Sequence, residues 1–542
     1  MSNSRPAITR AEGIPGLWAL PMGLLMGLWG WLEFSSGGFQ RHQWLLPGLS
    51  LAVFAAAIFI LTAYPRRPRA LSLLMVGLFT AYTFWVALSA SWAASLNSAW
   101  DETARTLLYL LALSVASVYL PDRTARRILR HLLLAGALAL VLASVTVLRL
   151  ANTDTIALLF TENRFSFPAT YPNNAAAMFM VFFWPVLWMA ADPNSRVLVR
   201  GLALGTASAL LCLTVATQSR GAAYAFAITV ILTFLLSPVR LRTLFFLLVP
   251  SALLIWAFPG LNAYWSEGPT ALSGTSGARI VLEAGLIAGG TGALLALLER
   301  WVSVTQPMRR VFGAAALVVT FLAAGWGLYA LDSHVGDTSA WLSDTWQRFT
   351  ADQATTIPGL EGSSNGGSPS SRFATVSTSG RWDIWRVAWD DFRAAPIQGV
   401  GAGNFVFTYD RGRHRESAKP RQPHSIELRV LSETGLVGGL LFFGALLVGL
   451  GDSLAAHGGC DRPSALQAPA ASAGRLRARP GRPPQPQRRS NAPLGRGSQT
   501  VRMECRPGHG RHLLARARQR GVAMAHARSD PPGPPHDGSG GG

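Results

Sequence analysis

Long apolar runs separated by short polar connections dominate the chain. A helix needs roughly 20 apolar residues to cross a bilayer core of ~30 Å, and runs of about this length recur over roughly the first 450 residues. The pattern predicts an all-α polytopic membrane protein of about 12 transmembrane helices. The expected spans lie near Leu17–Phe34, Trp44–Tyr64, Leu71–Trp92, Ala104–Leu120, His131–Leu150, Asn174–Ala191, Leu198–Thr217, Gly221–Leu236, Thr243–Phe258, Ile280–Leu298, Val311–Leu331 and Leu436–Leu450.

The charges of the connections give an orientation. Arginines concentrate in every second connection, while the intervening connections carry acidic residues. The basic connections hold Arg66, Arg67, Arg69, Arg123, Arg126, Arg127, Arg130, Arg196, Arg200, Arg240, Arg242, Arg300, Arg309 and Arg310. Because Lys and Arg are enriched in cytoplasmic loops, the N-terminus is expected in the cytoplasm.

One outer connection is much longer than the others and divides the chain. We expect a transmembrane domain over residues 1–331 with about 11 spans, a large periplasmic loop over 332–434, a further helix over 435–450 and a tail over 451–542. The loop holds Gly/Ser-rich sequence, followed by a predicted amphipathic helix from Ser379, the expected N-cap, to Phe392. Its tryptophans recur at helical spacing, and they are expected either to lie in the membrane interface or to pack on the rest of the loop.

The net charge of +20 suggests a nucleic-acid partner, but the distribution of the charge argues against one. The tail after Leu450 holds fifteen arginines against five acidic residues, which is half of the net charge. This segment is rich in Arg, Pro, Gly and Ala without helical or strand periodicity, and it is predicted to be disordered. Two explanations of this composition are open. The segment is either the product of a shifted reading frame or a genuine basic tail that contacts anionic lipid.

Candidate chemistry lies on the predicted outer face. Arg220 occupies a very short outer turn, against the charge trend, and its planar guanidinium suits phosphate oxygens. A snorkelling arginine on lipid headgroups is the alternative interpretation. Arg164 and Arg381 lie in other outer connections and, together with Arg220, could form a cationic surface for a diphosphate-linked lipid. Arg279 is expected to pair with Glu283, four residues on.

A histidine near the end of the long loop is a candidate base. His424 precedes the last predicted span, and a near-neutral imidazole can take a proton from a sugar hydroxyl. His334 and His414 share the loop, so an incidental histidine is the competing interpretation. The three cysteines show no metal-ligand spacing, and no nucleotide-binding or metal motif is evident, so neither a metal nor a cofactor is expected.

An ordered set of short motifs runs through the second half of the predicted spans and the long loop. The motifs are Tyr171-Pro-Asn-Asn-Ala-Ala176, Ser219-Arg-Gly-Ala222, Gly380-Arg-Trp-Asp-Ile-Trp385, Pro396-Ile-Gln-Gly-Val-Gly-Ala-Gly-Asn-Phe405, Pro423-His-Ser-Ile-Glu-Leu428 and Glu433-Thr-Gly-Leu-Val-Gly438. In these motifs and their order the chain resembles the O-antigen ligase/polymerase group, the Wzy-C superfamily, over roughly Arg164 to Leu450. Two features depart from the family. His424 is followed by Ser425 where members often have Asn, and the tail replaces at least one further span.

The resemblance implies a metal-independent glycosyltransferase of the bacterial inner membrane, with a periplasmic active site. Its donor would be an undecaprenyl-diphosphate-linked glycan, and its acceptor would be lipid A-core or another glycan. Membrane lipids would surround the protein. If the family's residue roles apply at the matching positions, Arg220 would bind the diphosphate, with Arg164 and Arg381 as helpers. His424 would activate the acceptor hydroxyl. The motifs do not separate a ligase from a polymerase or a protein oligosaccharyltransferase. A flippase or transporter of lipid-linked sugars is the alternative from another class.

Overall fold

The structure is a computed structural model that describes residues 20–61, 69–119, 123–237, 239–270, 273–302, 306–357, 371–413 and 420–458. The predicted disordered tail, apart from its first residues to Gly458, lies outside the described residues. The predicted Gly/Ser-rich stretch lies almost wholly outside them as well.

A helix lies at each of the twelve predicted positions. These helices are α1 (Leu20–Phe34), α2 (Arg41–Leu61), α3 (Ala70–Leu88), α4 (Leu96–Tyr119), α5 (Arg123–Leu150), α6 (Pro172–Ala191), α7 (Val197–Ala216), α8 (Arg220–Leu236), α9 (Arg240–Ser266), α10 (Gly274–Leu298), α11 (Gln306–Val335) and α15 (Ile426–Gly458). Seven helices among the described residues are long and apolar enough to cross a membrane, namely α3, α5, α6, α7, α9, α10 and α15. The predicted all-α membrane class is confirmed, and the count of twelve spans stays a prediction.

The bundle packs around α7, which is buried along almost its whole length against α6, α9 and α10. Small residues make the closest approach. A Cβ built on Gly205 would lie 2.5 Å from the carbonyl oxygen of Gly285, and one on Gly201 would lie 2.9 Å from that of Gly289. Glycines on both helices let the backbones of α7 and α10 touch, as membrane helices often do.

Three short helices and two small hairpins belong to the long connections. The helices are α12 (Thr338–Thr350), α13 (Arg381–Ala394) and α14 (Phe405–Gly412). Antiparallel strands β1 (Phe160–Thr161) and β2 (Arg164–Phe165) form the first hairpin. Strands β3 (Thr355–Thr356) and β4 (Thr375–Val376) form the second.

Helix α13 buries an aliphatic face rather than its tryptophans. Ile384, Val387 and Ala388 pack with Phe405 and Tyr409 of α14. The tryptophans on its other faces have separate environments. Trp382 packs edge-on to Trp346 and Phe349 of α12, with ring centroids 5.8 and 6.2 Å away, and Trp389 is exposed. Of the two interpretations of these tryptophans, packing on the rest of the loop therefore applies to Trp382. The helix begins after Gly380, which takes the N-cap position predicted for Ser379.

Helix α15 begins ten residues before the predicted span and is broken at Gly435. This glycine has φ 66° and ψ −165°, a conformation nearly restricted to glycine. The loop 396–403 occupies the break. The amides of Val400 and Gly401 donate to the carbonyls of Ser432 and Glu433 at 2.9 Å, and the amide of Leu436 donates to the Pro396 carbonyl at 2.8 Å. The backbone groups released by the break are satisfied in this way.

Ion pairs fix the broken helix to α4. Arg429 lies 2.7 Å from a carboxylate oxygen of Glu102 and 3.3 Å from one of Glu433. The amide of Gly403 donates to the same Glu433 carboxylate at 2.9 Å. The start of α15, and with it the preceding loop, is therefore tied to the bundle by charged hydrogen bonds.

We expect Gly435→Ala to destabilise the protein. A Cβ at this position would collide with the backbone of Ile397 and Gln398, and a non-glycine residue in this conformation costs on the order of 1–3 kcal/mol. The measurement is thermal unfolding in detergent, followed by tryptophan fluorescence. Gly77→Ala is the matched control, because Gly77 lies within α3 with open space around its α carbon. Equal unfolding temperatures for the two variants would contradict this account of the break.

Candidate active site

A cavity of about 510 Å³ lies where the N-terminal ends of α6, α8 and α13 meet the residues just before α15. Its polar lining includes three arginines and the histidine proposed as base. The lining includes Tyr171, Asn173, Ser219, Arg220, Tyr224, Phe349, Arg372, Ser379, Arg381, Trp385 and His424. Arg220, Arg381 and His424 are distant in sequence, and the fold brings all three to one cavity.

Four helix N-termini surround this cavity. Tyr171 is the N-cap of α6, Arg220 and Arg381 are the first residues of α8 and α13, and His424 lies two residues before α15. A helix N-terminus carries a partial positive charge and free amide donors. Together with three guanidinium groups, these ends make the cavity a strongly anion-attracting site.

Arg220 links the start of α8 to β4 and to the residues between β4 and α13. Its Nη1 donates to the carbonyl oxygen of Thr375 at 2.9 Å and to the hydroxyl of Thr375 at 3.0 Å, and its Nη2 donates to Ser379 Oγ at 2.5 Å. Ser219, the N-cap of α8, accepts the amide hydrogen of Ala222. These bonds hold the arginine that broke the charge trend in a fixed position facing the cavity.

Arg164 lies behind the cavity rather than in its lining. Only 4% of the residue is exposed. Its Nε donates to the Thr217 carbonyl at 3.0 Å and its Nη2 to Asn173 Oδ1 at 2.6 Å. Ser219 Oγ donates to the same Asn173 oxygen at 3.0 Å. Burial, together with the charge of Arg372, lowers the pKa of Arg164 to about 10. Arg164 therefore stabilises the turn before Arg220. The sequence had suggested instead that Arg164 contacts the diphosphate directly.

The side chains of Arg381 and His424 are available to a ligand. Among the described residues, neither the guanidinium of Arg381 nor the imidazole of His424 has a hydrogen-bond or ion-pair partner. The backbone of His424 is left-handed, with φ 56°, and such strain is frequent at functional sites. Burial lowers the pKa of His424 below its usual range, and the charge of Arg381 lowers it further. The imidazole is therefore neutral at neutral pH and able to accept a proton.

Ser425, where the family often has Asn, has a structural role. Its Oγ accepts the amide hydrogen of Leu428 at 3.3 Å, the geometry of a helix N-cap. Asparagine is equally suited to this position. The departure from the family pattern therefore leaves the start of α15 with a capping side chain next to His424.

Arg372 is a cavity residue that the sequence reasoning missed. It belongs to a 3-10 turn over Arg372–Ala374, and its guanidinium lies over the ring of Trp265 at 5.8 Å from the centroid. Among the described residues, Glu162 provides the carboxylate nearest to it, at 3.9 Å. Burial and the charge of Arg381 lower its pKa, against the effect of Glu162. No sequence periodicity singles out Arg372 as a cavity residue. The one sequence feature that could have indicated it is its position nine residues before Arg381.

Aromatic rings make up the rest of the cavity wall. Trp385 of α13, Phe349 of α12, Tyr171 and Tyr224 contribute to the lining. Flat aromatic faces with a few convergent polar groups are typical of sites for organic ligands. The cavity therefore combines a cationic end with an aromatic wall.

Residues 270–443 match the model of the O-antigen ligase family, Wzy_C. The chain carries an O-antigen ligase domain. The matched stretch includes Arg372, Arg381 and His424, whereas Arg164 and Arg220 precede it. No curated protein sequence and no solved structure matches the chain. The resemblance seen in the sequence motifs is thus confirmed over this stretch, whereas the motifs at 171–176 and 219–222 precede it.

The family match and the apolar helices agree. Residues 270–443 resemble O-antigen ligases, and seven helices among the described residues are long and apolar enough to cross a membrane. No group of three or more His, Cys, Asp or Glu side chains suited to a metal ion occurs within the described ranges. The predicted pair of Arg279 and Glu283 forms at 2.6 Å.

We expect Arg164→Ala to loosen the turn before Arg220. The buried carbonyl of Thr217 would lose its side-chain donor, and an unsatisfied buried acceptor costs about 1–3 kcal/mol. Thermal unfolding should shift to lower temperature. Arg279→Ala is the control, because this arginine is exposed and substitutions at exposed surface positions change stability little. If the two variants unfold together, Arg164 does not brace the turn.

Proposed function

We propose that this O-antigen ligase domain transfers a glycan from an undecaprenyl-diphosphate-linked donor to an acceptor hydroxyl on the periplasmic side of the inner membrane. The observation that supports this most is the cavity itself. It brings Arg381 and His424, whose side chains have no partner among the described residues, together with Arg220 at the start of the apolar helix α8. A polyprenyl diphosphate has the matching chemistry, a dianionic head on an apolar chain.

In the proposed step, the acceptor oxygen attacks the anomeric carbon while His424 takes the hydroxyl proton. The bond between that carbon and the diphosphate oxygen breaks, and the diphosphate leaves with the bonding electrons. Arg220 and Arg381 stabilise the negative charge that develops on the leaving group, helped by the dipoles of α8 and α13. The imidazolium formed on His424 later releases its proton to solvent.

The aromatic wall supports a saccharide as the transferred group. Trp385, Tyr171 and Phe349 offer flat faces beside the cationic end, where sugar rings attached to the diphosphate would lie. The acceptor is proposed to be lipid A-core or another glycan, which makes the protein a ligase. A polymerase or protein oligosaccharyltransferase would use the same donor chemistry with a different acceptor. Transfer is proposed to need neither a metal nor a nucleotide.

The decisive experiment measures glycan transfer from a lipid-linked donor in proteoliposomes containing EDTA. We expect His424→Ala to lower kcat about 10²–10⁴-fold, because a general base contributes on this order. Arg220→Ala should lower kcat/KM by about 10²–10³, the usual effect of removing one charge-stabilising donor. His334→Ala is the control, because His334 lies at the end of α11, hydrogen-bonded to Ala330.

Full turnover in the His424 and Arg220 variants would refute the assignment of the site. If the wild type transfers no glycan in EDTA and recovers activity when a divalent metal is added in excess, the metal-independent mechanism is refuted. If the donor instead moves between leaflets without reacting, the protein is a transporter of lipid-linked sugars.

The pH dependence of transfer follows from the lowered pKa of His424. The imidazole accepts a proton only when neutral, so activity should fall as pH drops through a value below 6.5. Arg381→Gln removes one cause of the lowering, so the acid limb should move to higher pH. The measurement is kcat/KM from about pH 5 to pH 8 for both proteins. An acid limb that stays in place in the variant would mean that another group titrates.

A further inference from the structure

Two guanidinium groups converge on a single oxygen atom in the cavity. Ser379 Oγ accepts a hydrogen bond from Arg220 Nη2 at 2.5 Å and another from Arg372 Nη2 at 3.4 Å. Arg220 starts the apolar helix α8, and Arg372 lies in the 3-10 turn over Arg372–Ala374, more than 150 residues later. Two positively charged donors aimed at one acceptor are the arrangement expected around a phosphoryl oxygen.

The acceptor now in this position is a poor match for the donors. A neutral hydroxyl forms weaker bonds with guanidinium than an anionic oxygen does. Ser379 is also held in a left-handed conformation, with φ 57°, which a residue with a Cβ adopts only at an energetic cost. Ser379 is exposed, so a ligand entering the cavity can reach it.

The charge of Arg372 is only weakly compensated. Glu162 is its ion-pair partner at 3.9 Å, and the Glu162 side chain is 77% exposed. The ring of Trp265 beneath the guanidinium fixes its plane without supplying a counter-ion. Arg372 is therefore positioned like Arg220, with capacity left for an anion.

We propose that Arg220 and Arg372 form a clamp for one phosphoryl group of the donor, and that Ser379 Oγ occupies the place of a phosphoryl oxygen in the free enzyme. The inference rests on the proposed function, because it assumes the diphosphate donor. Binding displaces the Ser379 hydroxyl from the two guanidinium groups. Arg381, two residues further on, remains available for the second phosphoryl group.

Binding of geranylgeranyl diphosphate to the full-length protein in detergent tests the clamp. Arg220→Gln and Arg372→Gln should each weaken binding about tenfold or more, since each removes charge-assisted bonds. The double variant should lose less than the product of the two single losses, because both arginines act on the same group. Arg372→Lys should recover part of the affinity, since it keeps the charge but not the planar fork.

A matched control excludes a general effect of removing an outer arginine. Arg348→Gln changes an exposed arginine of α12 that pairs with Asp344, and it should bind the probe like the wild type. Ser379→Ala separates the roles of hydroxyl and arginine. Unchanged or tighter binding fits a hydroxyl that the ligand displaces, whereas a loss as large as that of Arg372→Gln would overturn the proposal.

The failure of the clamp and the failure of the proposed function give different results. Wild-type affinity in Arg372→Gln, or strictly multiplicative losses in the double variant, would overturn the clamp alone. If His424→Ala binds the probe normally but transfers no glycan, the proposed reaction stands. If the wild type shows no preference for geranylgeranyl diphosphate over geranylgeraniol, both proposals fall.

Discussion

Repulsion among crowded arginines is the constraint on which the arrangement of the cavity depends. Arg164, Arg220, Arg372 and Arg381 lie close enough for the charges of some to lower the pKa of others. Hydrogen bonds to backbone carbonyls and hydroxyls hold the first two in place, but they do not neutralise them. Four helix N-termini add positive potential of the same sign. The fold keeps this uncompensated charge at one place, which is the physical basis for proposing an anionic substrate.

The scaffold that holds these charges together depends on the break in α15. Gly435 interrupts the helix, and the glycine-rich loop 396–403 fills the gap. A Cβ on Gly399 would lie 2.5 Å from the backbone of Glu433. Asp391 of α13 accepts hydrogen bonds from Thr408 and from Ser432 of α15. The start of α13, with Arg381, and the start of α15, beside His424, are thus fixed relative to each other.

The sequence predicted the helices well, because apolar length is a local property. Each of the twelve predicted spans has a helix, and the charge rule drew attention to Arg220. The cavity was less accessible to prediction. Whether Arg164 is buried or exposed, and which segment Arg220 contacts, depends on how distant segments pack. The break at Gly435 and the N-cap at Gly380 required backbone conformation, which periodicity does not contain.

A structure with a bound donor analogue would show directly whether the arginines of the cavity bind a diphosphate. With geranylgeranyl diphosphate present, we expect diphosphate density within hydrogen-bonding distance of Arg220 and Arg381, and close to His424. We also expect the Ser379 hydroxyl to have turned away from Arg220. Diphosphate density elsewhere, with the bond between Arg220 and Ser379 intact, would rule out this cavity as the donor site.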